Sequence, residues 1–245
     1  MEPETENGSA ESSGASSEEA GTAVVEREPE PRFVWQTVLL LAYYAWVVYA
    51  TRRPPAKHPG AFRSSTQVVH LVYQWTLWLV AYCGIRSSGL RYKDVVGKFP
   101  TRAAFWSACV DAVYIWGGHY LVARLLAKLG PFTVRHSLPP STAFQFCLTL
   151  LVALSAGYTE EVVHRGLMMS QFRMLTRSLP AAVLLQALVF AAAHGGNQSL
   201  TEFLEHFAAA LLFAYFAIRR KSLWPSIMGH AWIDVSWNVR RFLRG

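Results

Sequence analysis

The chain has 245 residues, of which 52% are hydrophobic and only 16% are charged, and its mean hydropathy is +0.20. Soluble domains of this size usually carry about a quarter charged residues, so a soluble globular fold is disfavoured. Nine of the sixteen acidic residues precede residue 33, and the rest of the chain carries its excess of Lys and Arg in short clusters between apolar blocks. Such clusters are typical of loops held against anionic lipid headgroups, and they argue against a nucleic-acid-binding protein.

Three regions follow one another along the chain. Residues 1–31 contain no aromatic residue and are rich in Glu, Ser and Gly, so we predict a disordered acidic tail. We expect residues 32–140 to form N-terminal membrane helices and residues 141–245 to form a catalytic helical core, within one membrane domain. The first three apolar segments are Phe33–Ala50, Gln67–Ile85 and Ala103–Ala127.

Four further apolar segments occupy the second half of the chain. They are Ser141–Ala156, which continues into Glu160, then Leu179–Ala193, Glu202–Ile218 and Pro225–Val239. Their lengths suit membrane helices of about 20 residues, the loops between them are short, and no internal repeat is visible. The sequence therefore predicts an all-α, multi-pass integral membrane protein, a bundle of about seven helices. In a prokaryote its location would be the inner membrane.

Several ionisable side chains lie inside these apolar blocks, where each costs about 2.5–3.5 kcal/mol on insertion scales and is usually functional. Residues four apart share one face of a helix. That spacing pairs Glu160 with His164, Glu161 with Arg165, Phe190 with His194, and His230 with Asp234. If the three helices converge, they supply a carboxylate base and imidazoles, which is the set needed to activate a water molecule.

Structural readings of the same residues remain open at this point. Glu161 and Arg165 could form an ion pair that only stabilises the bundle, His194 could be a hydrogen-bonded core histidine, and His230 with Asp234 could relay protons in a transporter. The other ionisable residues of the apolar blocks are assigned to packing or helix interfaces, namely Asp111, His119 and His206. A transporter is the least favoured class, because no repeat and no matching pair of broken helices is present.

In this order the three motifs read Glu-Glu-x-x-x-Arg from Glu160, Phe-x-x-x-His from Phe190 and His-x-x-x-Asp from His230. Together they resemble the signature of the CPBP superfamily, which comprises the type II CAAX prenyl endopeptidases together with bacteriocin-processing and self-immunity membrane proteins. The resemblance covers about Ser141–Val239. It implies an all-helical intramembrane fold with a cavity open to the membrane and the cytosol, and an intramembrane endopeptidase activity.

The resemblance also implies roles for the motif residues. Glu160 would be the general base and His194 its partner in activating water, while Glu161 and Arg165 would support the site. His230 and Asp234 would stabilise the oxyanion. CAAX endopeptidases commonly have Asn at the last position, and an ionised Asp cannot donate a hydrogen bond, so Asp234 would have to be protonated, orient His230 or bind a metal instead.

No cofactor is certain from the sequence. Glu160, His194 and His230 could bind Zn²⁺ through nitrogen and oxygen atoms, although no HExxH motif is present, so metal-dependent and glutamate-dependent proteolysis both remain open. The expected partners are membrane lipid and a peptide or membrane-protein substrate, prenylated or not. The alternative function is a non-proteolytic membrane scaffold, or a bacteriocin self-immunity protein, with the same fold.

Overall fold

The computed structural model describes residues 32–52, 63–98, 101–130, 132, 139–196 and 198–244. Within these ranges every regular element is a helix, which confirms the all-α prediction. The predicted disorder of residues 1–31 lies outside the described residues.

The helices follow the predicted apolar segments closely. They are α1 (Trp35–Ala50), α2 (Ser64–Ser87), α3 (Tyr92–Val96), α4 (Arg102–Leu126), α5 (Ala143–Glu161), a π-helical segment (Val162–Met168), α6 (Met169–Thr176), α7 (Leu179–Ala193), α8 (Leu200–Arg220) and α9 (Trp224–Arg244). The π segment joins α5 to α6, so these three form one continuous helix of 34 residues. The short α3, in the basic stretch between the second and third apolar segments, was not predicted.

Three helical segments are long and apolar enough to cross a membrane: Ser64–Ser87, Ala143–Thr176 and Leu200–Arg220. Helices α1 and α7 are also apolar but are shorter. The outer surface of the bundle carries many exposed large apolar side chains, among them Trp46, Val69, Val72, Trp106 and Leu121. Large apolar surface of this kind on the outside of a helical bundle suits lipid rather than water. The chain is a membrane protein.

Polar side chains fix where several of the helices begin. The N-cap side chain accepts a hydrogen bond from the first turn at Thr101, Thr142, Ser178 and Ser199. At the start of α8 the Glu202 side chain also accepts from the Ser199 backbone, which completes a capping box. These bonds satisfy backbone N–H groups that no helical carbonyl can reach.

Helix α9 lies between α4 and α5 and approaches both closely, because a glycine stands at each contact. A Cβ atom on Gly157 would lie 2.7 Å from the backbone nitrogen of Ala231, and one on Gly229 would lie 2.7 Å from Cγ2 of Ile115. Small residues at helix interfaces allow this close approach in membrane bundles. The two contacts flank His230 and bring it to the carboxylates of α5.

The remaining helices surround the π segment and the end of α8. Val162, Val163 and Leu167 pack in one apolar core with Leu40 of α1 and Ile85 of α2. Between α4 and α8 the buried Asp111 accepts two hydrogen bonds from the Arg220 guanidinium, at 2.6 and 2.8 Å. This ion pair agrees with the assignment of Asp111 to a helix interface.

Candidate active site

The site is built around a buried carboxylate, Glu161. Its Oε1 atom accepts hydrogen bonds from Nη1 of Arg165 and from Nδ1 of His230, each at 2.9 Å. The side chains of Glu161 and Arg165 are both fully buried. The Arg165 guanidinium also lies over the rings of Phe190 and Phe213, with its central carbon 4.4 and 5.0 Å from the ring centroids. The predicted Glu161–Arg165 pair therefore exists, and it holds His230 in place.

The π-helical segment begins directly after Glu161 and contains His164 and Arg165. All seven of its residues, Val162–Met168, are buried. A π-helix forms i→i+5 hydrogen bonds and is less common than an α-helix; it occurs mostly as short insertions, frequently at functional sites. Here it directly follows Glu160 and Glu161 and contains Arg165, so the 34-residue helix carries three of the six predicted site residues.

Glu160 is the accessible carboxylate of the pair. Its side chain is 28% exposed, and it lines three cavities, of about 470, 150 and 240 Å³. Its Oε2 atom lies 4.0 Å from Nε2 of His230, and the same Nε2 lies 3.8 Å from Oδ2 of Asp234. The Nε2 edge of the His230 ring is therefore directed towards two carboxylates that line the 470 Å³ cavity.

His194 lies at the end of α7 and is exposed to the 470 Å³ cavity and to the 150 Å³ cavity. Its Nδ1 atom lies 2.8 Å from the carbonyl oxygen of Phe190. A carbonyl oxygen can only accept, so Nδ1 carries the proton and Nε2 of the neutral ring is an acceptor. The motif Phe-x-x-x-His thus fixes the tautomer through its own backbone.

The 470 Å³ cavity brings together four of the six predicted site residues, Glu160, His194, His230 and Asp234. Glu161 and Arg165 lie behind it. Most of its remaining wall is apolar or aromatic: Ala123, Phe132, Phe190, Ala209, Phe213, Ile233 and Trp237.

The same cavity is also lined by polar side chains outside the three motifs: His119 and His206, which were expected to be packing or interface residues, and Glu205. His119 of α4 lies 3.1 Å from Oε1 of Glu205 of α8, and both residues line the cavity. The ring of His206 stacks on that of His194, with 3.8 Å between centroids. No sequence motif links these residues, and only the packing of α4 and α8 brings them to the site.

A smaller cavity of about 150 Å³ lies behind Glu160 and His194. His164, predicted to share a helix face with Glu160, does line it, and its Nε2 lies 3.1 Å from the Tyr44 hydroxyl of α1. Tyr73 of α2 lines the same cavity. The two tyrosines lie in N-terminal apolar segments without any motif, so no sequence pattern marks them as site residues.

A zinc site would require at least three converging ligands about 2.0–2.2 Å from the ion. Among the described residues, no group of three or more His, Cys, Asp or Glu side chains is arranged to hold a metal ion. Nδ1 of His230 is bound to Glu161, so only its Nε2 could serve as a ligand, and the set Glu160, His194 and His230 is not arranged around one ion.

The fold and the site together define a class of protein. It is a membrane bundle of helices with carboxylates and imidazoles around an interior cavity. Comparison with protein-family models matches residues 142–236 to the type II CAAX prenyl endopeptidase Rce1-like family. The resemblance to the CPBP superfamily is thereby confirmed for this part of the chain, which contains all six predicted site residues. That family is one of CAAX-type proteases. No curated protein and no solved structure matches the chain.

Proposed function

We propose that the protein is a multi-pass intramembrane endopeptidase that hydrolyses peptide bonds with a water activated by Glu160 and His194. The observation that carries this proposal is the convergence of Glu160, His194, His230 and Asp234 on one 470 Å³ cavity inside the helical bundle. Inserting acids and imidazoles into a membrane bundle costs free energy, so their presence there usually marks a functional site.

Glu160 is the general base in this mechanism. Its carboxylate faces the cavity, whereas the carboxylate of Glu161 is fully buried and already accepts two hydrogen bonds on one oxygen. A water molecule that donates to Glu160 and to Nε2 of His194 is held by two acceptors. Glu160 removes its proton as the water oxygen attacks the scissile carbonyl, and later delivers that proton to the leaving amine.

His230 stabilises the oxyanion that forms on the carbonyl oxygen. Its Nδ1–H donates to Glu161, so a second proton on Nε2 makes the ring an imidazolium, and this Nε2–H is directed towards the cavity. Asp234, at 3.8 Å from that nitrogen, cannot donate when it is ionised. Its negative charge instead stabilises the imidazolium, in place of the direct donation that Asn provides. Donors fixed in advance near a developing charge supply a large part of catalysis in acyl transfer.

Glu161 and Arg165 are positioning residues. Neither side chain is exposed, so neither can contact substrate, and both act through His230. The Arg165 cation balances the buried Glu161 carboxylate and packs on Phe190 and Phe213, which themselves line the cavity.

The substrate class follows from the wall of the cavity. Aromatic and aliphatic side chains surround the polar centre, which suits a peptide segment with apolar side chains or a lipid modification. A membrane-associated or lipidated peptide, prenylated or not, therefore fits better than a soluble polar peptide.

The test is cleavage of lipidated and unlipidated membrane peptides by the purified full chain, beside Glu160→Gln and the matched control Glu205→Gln in the same cavity. Loss of a general base should reduce turnover by about 10²–10⁴-fold in Glu160→Gln. Glu205→Gln should keep most of it. A parallel reaction with a chelator tests the zinc hypothesis directly, since loss of activity on chelation and its return with Zn²⁺ would require a metal.

Full turnover by Glu160→Gln would show that the assigned base is wrong. Absence of cleavage by folded wild-type protein across the whole peptide set would refute the protease. The remaining candidate would then be the non-proteolytic scaffold or self-immunity protein, which binds a peptide in the same cavity.

A further inference from the structure

A second, larger cavity of about 810 Å³ lies at one end of the bundle, where α6 and α8 end and α7 begins. It shares no lining residue with the 470 Å³ cavity of the proposed active site, although Arg165, whose side chain is fully buried and donates to Glu161, also lies in its wall. Three exposed cations line it, Arg173, Arg177 and Lys221. Most of the remaining wall is apolar: Leu90, Val95, Met169, Met174, Leu179, Ala217, Ile218 and Leu223.

Two of these cations occupy a backbone conformation that their side chains disfavour. Arg177 has φ 53° and Lys221 has φ 49°, and within the described ranges they are the two non-glycine residues with positive φ. Each follows the last residue of a helix, a position where glycine is usual because it has no Cβ penalty. The electrostatic benefit of a cation at a helix end does not require them, because Arg173, Arg219 and Arg220 already lie in those last turns.

The charge of the cavity is unbalanced. Its one acidic lining residue, Asp94, already accepts a 2.6 Å hydrogen bond from Nε of Arg91, so it does not neutralise the three cations. Cations at the mouth of a cavity with an apolar wall complement a phosphate group attached to an alkyl chain. Helix ends lie at the level of the lipid headgroups, where basic pockets between membrane helices bind anionic lipid.

We infer that this cavity binds an anionic glycerophospholipid. The phosphate lies between Arg173, Arg177 and Lys221, and an acyl chain runs along Met174 and Ile218. This proposal does not depend on the proteolytic activity, because the two cavities are separate and the binding can be measured on catalytically inactive protein.

The test is a titration of the detergent-purified full chain with phosphatidylglycerol, or with phosphatidylcholine of the same acyl chains, read by native mass spectrometry. The wild type should bind phosphatidylglycerol more tightly than phosphatidylcholine. The combined variant Arg173→Gln/Arg177→Gln/Lys221→Gln should bind it roughly 100-fold more weakly, given the attraction expected for three surface cations. A charge-matched control, with Gln in place of three exposed cations outside the cavity lining, should retain the preference; these are Arg86, Lys98 and Arg102.

A second variant, Arg177→Gly/Lys221→Gly, guards against misfolding. It relieves the positive-φ strain, so it should be at least as resistant to heating as the wild type while losing much of the preference for phosphatidylglycerol. The proposal is overturned if this variant keeps the full preference, if the control loses as much as the triple variant, or if phosphatidylcholine binds equally well. Displacement of the bound lipid by an equal concentration of inorganic phosphate would overturn it too, because the acyl chain would then contribute nothing.

Discussion

Replacing Arg165 with Met tests the buried network most directly. The substitution keeps the approximate length of the side chain and its packing on Phe190 and Phe213, but leaves Glu161 as a fully buried carboxylate without its charged partner. Removal of one partner from a buried ion pair costs about 3–5 kcal/mol. For a chain of this size that corresponds to a fall in melting temperature of roughly 6–20 °C.

A double variant separates the effect of the unpaired Glu161 charge from the effect of the altered side-chain shape at Arg165. Arg165→Met/Glu161→Gln removes both charges, so it should recover most of the lost melting temperature, since neutral pairs of similar volume are tolerated in buried positions. Its turnover should remain low, because His230 no longer has a carboxylate at Nδ1. Intrinsic fluorescence of the nine tryptophans is the suitable readout, because Cys83 and Cys147 are exposed and would react with a thiol dye before unfolding.

Two results would refute this account. One is an Arg165→Met variant with the same melting temperature as the wild type. The other is a double variant that falls by the sum of the two single losses, which would mean that Arg165 and Glu161 are not energetically coupled.

Three further substitutions probe the site. Gly157→Ala should reduce turnover by up to about 10²-fold by pushing α9 away, whereas Gly117→Ala, whose Cβ meets nothing within 4 Å, should not. His194→Ala should lower turnover by on the order of 10²–10⁴-fold in the cleavage assay with little change in melting temperature, since its ring faces a cavity; a large fall in melting temperature would contradict this. Asp234→Asn should keep most of the turnover because the amide can donate, while Asp234→Ala should lose on the order of 10²-fold; equal turnover of the two would contradict this.

The sequence predicted the seven apolar helices because each is encoded locally, by a block of apolar residues between cations or helix breakers. The short α3 is different. It has five residues, two of them charged, and it is held by contacts from distant parts of the chain: the Tyr92 hydroxyl lies 2.8 Å from that of Tyr158 and accepts from Trp78 at 2.9 Å. Such a helix depends on tertiary contacts, which local pattern does not report.

The same distinction separates the predicted site residues from the other side chains around the cavities. Spacing of four residues places Glu161 with Arg165, Phe190 with His194 and His230 with Asp234 on one helix face each, and the resemblance adds Glu160. Tyr44, His119 and His206 join the site only because α1, α4 and α8 pack there, and each stands alone in an apolar block. Nothing in the sequence distinguishes them from packing residues.

The adjacent carboxylates Glu160 and Glu161 show what the fold adds to the motif. Neighbouring positions on a helix point in different directions, so two identical side chains meet different surroundings. Glu161 is directed into the contact that Gly157 permits between α5 and α9, where Arg165 and His230 take up its Oε1. Glu160 is directed into the cavities and keeps 28% of its surface. In the proposed mechanism the buried carboxylate of Glu161 orients the His230 imidazole, and the exposed carboxylate of Glu160 takes the proton of the attacking water. The two tasks need opposite environments, and two neighbouring positions on one helix supply them.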